Sequence, residues 1–140
     1  MNFDFTQEVS RDIYKKTRII AKIGLEAKSF FKEKDYGPGV KEFYIGIICV
    51  APVFDSFFNI RKEYDINKKL LGYDIKLDYF FIKKANNKER YEAFRQVILG
   101  SLSIVEELKV KDFNLIQFRK DLEHFFEEHT YLGEMEKFDL

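Results

Sequence analysis

Hydrophobic and polar positions change period several times along the chain, and each change predicts an element. Over residues 2–9, Phe3, Phe5 and Val9 fall on one side and Asp4, Thr6 and Glu8 on the other. A period of two predicts a strand buried on one face. Ser10 then reads as an N-cap, because its hydroxyl can accept a free amide from the first helical turn. From there the period is helical. Ile13, Thr17, Ile20, Gly24, Ala27 and Phe31 form one stripe, widened by Ile23 and Phe30, and Lys15, Lys16, Arg18, Lys22 and Lys28 lie mostly off it. Glycine costs roughly 1 kcal/mol against alanine inside a helix. Gly24 is therefore expected where the helix comes close to the sheet.

Tyr36-Gly37-Pro38-Gly39 ends this helix, since glycine permits a tight turn and proline cannot continue the helical ladder. Residues 40–50 are nearly all apolar and rich in isoleucine and valine, which predicts a central strand covered on both faces. Residues 53–58 show no clear period. Residues 59–65 and 69–79 read as a hairpin turning at Asn67-Lys68. In its second arm Leu71, Tyr73, Ile75, Leu77 and Tyr79 line one face, while Gly72, Asp74, Lys76 and Asp78 line the other.

Asn86 and Glu89 have capping-box spacing and open a helix with the stripe Tyr91, Phe94, Ile98, Leu102 and Val105. Asn114 and Gln117 repeat that spacing, and Phe113 and Phe118 stand at the two ends of a hydrophobic staple. Leu115, Phe118, Leu122, Phe125 and Phe126 form the buried face of the last helix. The predicted order is β-α-β-β-β-α-α. With no alternating βαβ series, the expected fold is α+β: an antiparallel sheet of about four strands packed against three helices. Residues 1–130 form one domain, and 131–140 are an acidic tail.

Composition narrows the function classes. At 140 residues with 46% hydrophobic content, the chain can build one ordinary core. Lys and Arg number 24, as do Asp and Glu, so there is no cationic excess of the kind that general nucleic-acid binding requires. No apolar run reaches the ~20 residues that span a bilayer, and the N-terminus has no signal-peptide pattern; the expectation is a cytoplasmic protein. Cys49 is the sole cysteine, so an internal disulfide is excluded; set in an apolar run with no base nearby, it reads as a buried, inert thiol. Phe and Tyr together number 24, with no Trp; they are mostly core, with a surplus available for an interface.

Chemistry-bearing patterns are few. The glycine-rich turn at 36–39 follows a helix and precedes a strand, the reverse of a phosphate loop. His124 and His129 diverge on a helix, although His124 can touch Glu128 at i,i+4. No serine sits in a nucleophile elbow; Ser101 reads as a small residue at a packing contact. No catalytic, cofactor or metal site is expected. Charge is nonetheless segregated: residues 121–140 hold seven acids and one base, whereas 59–84 hold seven bases and four acids.

The layout of nearly all of residues 1–130 resembles the bacterial immunity protein 44 family. The likeness runs through the Phe-rich first strand and long helix, Tyr36-Gly37-Pro38-Gly39-Val40-Lys41, the Ile-rich strand 43–48 and Arg61-Lys62-Glu63-Tyr64. It continues through Lys76-Leu77-Asp78-Tyr79, Leu99-Gly100-Ser101-Leu102 and Asp112-Phe113-Asn114. What the resemblance implies is a non-enzymatic antidote that binds the catalytic domain of a cognate polymorphic toxin and blocks it by steric occlusion. The expected contact residues are Asp74, Lys76 and Asp78 on the polar strand face, with Glu123, Glu127 and Glu128 on the acidic helix. No cofactor, nucleic acid or membrane partner is expected. Two alternatives stand beside this reading: a ligand-binding domain or enzyme with a pocket lined by Tyr36, Tyr64 and Tyr79, and a homodimeric structural module.

Overall fold

A computed structural model describes residues 1–51 and 60–129. Strand β1 (Asn2–Val9) passes through a 3-10 helix (Arg11–Thr17) into helix α1 (Arg18–Phe31). Strands β2 (Glu42–Cys49), β3 (Lys62–Asp65) and β4 (Leu70–Lys76) follow. Helices α2 (Tyr79–Lys84), α3 (Asn87–Ser101), α4 (Ser103–Glu107) and α5 (Leu115–Glu128) complete the order. Segment 53–58 and the tail 131–140 lie outside the described residues, as does the start of the predicted hairpin at position 59.

The α+β class and the four-stranded sheet are as expected, but strand direction corrects the reading. The sheet order is β1-β2-β4-β3, with β1, β2 and β4 mutually parallel and only β3 antiparallel to its neighbour. The cause is the first connection. Helix α1 returns the chain to the end of the sheet where β1 began, so β2 must run beside β1 in the same sense. Only β3 runs the other way, paired with β4 through a short hairpin. Strand β2 is central, as predicted, and its Phe43, Ile45, Ile47 and Cys49 are fully or almost fully buried.

The whole stripe Ile13, Thr17, Ile20, Gly24, Ala27 and Phe31 is buried, although its first part winds as a 3-10 helix. Ser10 does precede that helix but does not cap it; its Oγ accepts the Ala51 amide at 2.6 Å and ties the end of β2 to the end of β1. Asn86 and Glu89 form the full reciprocal capping box. At α5 the cap is half of one: Asn114 accepts the Gln117 amide, while the Gln117 side chain turns to Asp121. The staple is made, with the Phe113 and Phe118 rings 5.7 Å apart. The long predicted second helix breaks after Ser101. There the Ser101 and Ser103 hydroxyls bond the carbonyls of Ile98 and Gly100, competing with the helical ladder. Helix α2 carries no periodic signal of its own in six residues.

All the long helices cover one side of the sheet. Between them sits an aromatic core in which Phe3, Phe31, Phe43, Phe94, Phe118 and Phe125 are essentially inaccessible. Two segments distant in sequence close one end of it. The Gly39 amide donates to the Asp112 carbonyl at 2.9 Å, and the Asn114 amide donates to the Tyr36 carbonyl at 2.7 Å. A Cβ on Gly39 would overlap the Lys111 carbonyl oxygen. Gly24 is different: a Cβ there would meet Phe5 Cβ at 3.6 Å, an ordinary van der Waals separation, so the helix does not need glycine to approach the sheet.

These two glycines predict opposite outcomes. Gly24→Ala should stabilise the protein by about 0.5–1 kcal/mol, the helix-propensity difference. Gly39→Ala should destabilise it by about 2 kcal/mol or more, because the backbone contact with Lys111 must open. Urea denaturation of the two variants checks both signs.

Candidate interaction surface

The side of the sheet opposite the described helices is mostly polar, with Gly46, Ile48 and Gly72 buried at its centre. Register sets out its rows: Asp4, Tyr44, Gly72 and Glu63 lie across the strands in one, and Thr6, Gly46 and Asp74 in the next. Glu8, Ile48 and Lys76 make a third. Two strand glycines leave room that neighbouring side chains fill. The Tyr44 ring lies where a Cβ on Gly72 would stand, and the Asp74 carboxylate lies where one on Gly46 would stand.

Polar contacts hold this arrangement. The Tyr44 hydroxyl donates to the Glu63 carboxylate, and the Arg61 guanidinium sits 4.9 Å from the Tyr44 ring centroid. Arg61 also reaches Asp74, with Nη2 3.6 Å from Oδ1, and its own amide donates to Asp74 Oδ2 at 3.3 Å. Burial, reinforced by the Glu63 hydrogen bond, pushes the Tyr44 phenol up to about 12. Beside the cluster is an open depression of about 490 Å³, lined in part by Thr6, Glu8, Gly46, Ile48, Arg61 and Asp74. Acids outnumber bases here: Asp4, Glu8, Glu42, Glu63, Asp65 and Asp74 share the face with Arg61 and Lys76, and Lys28 of α1 lines a depression beside Asp4 and Glu42.

The sequence-predicted contact residues do not form one surface. Asp74 and Lys76 lie on the helix-free face, as the alternation required. Asp78 does not join them, because β4 ends at Lys76. Its carboxylate instead accepts the Phe80 and Phe81 amides and caps α2. Glu123, Glu127 and Glu128 are on α5, whose Phe118 packs on Phe3 and Phe43 across the opposite face. Glu128 pairs there with His124 at 2.9 Å, the i,i+4 contact read from the sequence. Alternation alone could not reveal Tyr44, Arg61 and Glu63 as members of the cluster, because their meeting depends on strand order. Glycines at 46 and 72, inside strands, were the one local sign of close approach.

The tyrosines of the pocket alternative do not converge. Tyr36 bonds Asp121 at 2.6 Å and the Tyr64 hydroxyl donates to the Gly39 carbonyl at 3.2 Å, both beyond the start of β2. Tyr79 lies past the far end of β4 and donates to Asp12. That contact holds the Asp12 carboxyl below its usual range. Ser101 is buried and bonds the Tyr73 hydroxyl at 3.0 Å, so its role in packing includes a hydrogen bond. Cys49 is fully buried, and desolvation pushes its thiol up to about 11. Among the described residues no three His, Cys, Asp or Glu side chains converge on a metal position, and no helix is long and apolar enough to cross a membrane. Tyr14, Phe80 and Phe81 are the large exposed rings of the described residues, on the 3-10 helix and α2.

A family model described as immunity protein 44 matches residues 1–128. The chain belongs to the immunity protein 44 family. No curated protein and no solved structure gives a significant match. In this immunity protein 44 member, two of the segments that carried the sequence resemblance, Tyr36-Gly37-Pro38-Gly39 and Asp112-Phe113-Asn114, prove to be docked backbone to backbone.

The raised phenol and thiol set the alkaline limit of stability. Tyr44 and Cys49 ionise near 10.0 and 9.0 when unperturbed and near 12 and 11 in the fold. A raised pKa favours the folded protein below the unfolded value, and that contribution is lost as pH rises through the folded one. Stability should therefore begin to fall at about pH 9 through Cys49. In Cys49→Ala the onset should move to about pH 10, where the tyrosines take over, as read by urea denaturation across pH 8–11.

Proposed function

We propose that this protein binds the catalytic domain of a cognate bacterial toxin and neutralises it by covering its active site, without catalysis of its own. Membership of the immunity protein 44 family over nearly the whole chain is the observation that carries this reading. The geometry fits a binding role. A sheet backed by a dense aromatic core presents a face on which Tyr44, Glu63, Arg61 and Asp74 are already paired, so little freedom of those side chains is lost on docking.

Asp74 and Lys76 belong to the contact in this proposal, together with Glu8 and the Arg61–Tyr44–Glu63 cluster. The acidity of the face favours a cationic toxin surface, which it would steer into place and which salt would weaken. Glu123, Glu127 and Glu128 form a separate acidic surface, with Asp78 at neither. A single flat contact cannot reach both faces of the sheet.

Co-expression with the neighbouring toxin domain separates these surfaces. The double variant Glu8→Lys/Asp74→Lys should lose at least about tenfold in affinity and fail to protect, with a melting temperature showing that it folds. Reversal of Glu123, Glu127 and Glu128 to Lys should change affinity by less than about threefold. The opposite pattern would assign the contact to α5, and absence of any complex with the unaltered chain would remove the proposal.

A further inference from the structure

The two edges of the sheet are unlike. Strand β3 is four residues long and carries Lys62, both features that discourage pairing with another chain. Strand β1 is eight residues long, about 26 Å at the usual rise per residue, with no Pro, Gly, Lys or Arg. Among the described residues its one strand neighbour is β2.

The backbone of β1 has a fixed parity. The Asn2 amide donates to the Lys41 carbonyl at 3.0 Å and the Ser10 amide to the Cys49 carbonyl at 3.1 Å. In a parallel ladder alternate residues of a strand turn both backbone groups to the same neighbour, so Asp4, Thr6 and Glu8 also face β2. Phe3, Phe5, Gln7 and Val9 then turn their amides and carbonyls away from β2, but Phe3 is fully buried and the Phe5 carbonyl lies beneath Gly24 of α1, so the accessible stretch of this edge centres on Gln7. Among the described residues the amides of these four make no hydrogen bond. Around them Thr6, Gln7 and Glu8 are exposed.

Charge selects the occupant. The only ionised side chains on β1 are Asp4 and Glu8, both on the helix-free face beside Glu42. Two copies of β1 would bring like charges together, which disfavours self-pairing. A strand with Lys or Arg at alternate positions would place cations beside these acids while its backbone filled the free donors and acceptors. We propose that the outer edge of β1 at Thr6–Val9 accepts an extended, cationic segment of the toxin as a short fifth strand of the sheet. This rests on the toxin-binding reading above and gives that contact its mode: main-chain pairing at β1, with the acidic face setting the charge of the incoming segment.

The test is Gln7→Pro in the full chain. Proline removes an outward amide and blocks pairing there, while the amides of Thr6 and Glu8 keep the ladder to β2; edge strands tolerate such a residue. Affinity for the catalytic domain of the toxin encoded beside this chain's gene should fall by about tenfold or more, against less than about threefold for Gln7→Ala. A second measurement needs no variant: amide exchange at Gln7 and Val9 should be fast in the free protein and slow in the complex. A complex that forms with these amides still exchanging freely would overturn the β1 docking and leave toxin binding standing. A concentration-dependent dimer protecting the same amides would overturn the choice of occupant. If the unaltered chain forms no complex, both readings fall.

Discussion

The Phe118 ring is the contact on which the rest of this fold depends. It packs against Phe3 of β1, Phe43 of β2 and Phe31 of α1 at centroid separations of 5.3, 5.2 and 5.1 Å. It also meets Tyr36 of the connecting turn at 5.3 Å. Edge-to-face and tilted aromatic pairs are directional as well as apolar. One side chain from the last helix thus fixes the angle between two strands, the first helix and the turn that joins them. The cost of ordering α5 is offset here, because a fourteen-residue helix is marginal by itself and gains its stability from the face it buries.

That hub also decides what is left open. Because α1, α3 and α5 converge on one layer of rings, no helix of the described residues covers the other side of the sheet. Its two strand glycines would leave bare backbone. Tyr44 and Asp74 lie across the gaps instead, and their polar ends meet Glu63 and Arg61. The exposed face is therefore polar at its rim and filled at its centre.

What the sequence made legible was local. Periods of two and 3.6 located the long elements, because burial of one face leaves its mark on consecutive side chains. The Asn86–Glu89 box and the Phe113–Phe118 staple were readable because each joins residues within one turn of chain. Strand direction was not, since β1, β2 and β4 are parallel through connections whose path leaves no mark on strand alternation. Asp78 shows the same limit at one residue: it continues the alternation of β4 into a position where its carboxylate caps a helix too short to announce itself. At the candidate site, Asp74 and Lys76 were placed correctly on a face, but their companions Tyr44, Arg61 and Glu63 come from strands whose order no local pattern encodes.

The docked glycine turn shows why family membership was readable where function was not. Gly37 has a φ of 108°, and Lys109 and Asp112 also adopt positive φ where the two segments meet. Conformations of this kind restrict which residues fit, so the short motifs there are constrained by folding rather than by recognition. The helix-free face and the edge of β1 carry no such strain. Their side chains answer to the fold only through alternation, which leaves their charge free to be set by whatever they meet. Residues on such a face are accordingly the ones that motif reading passes over. The excess of acids on one face and the unpaired backbone beside it come into view only once strand order has brought Asp4, Glu8 and Asp74 to the same side.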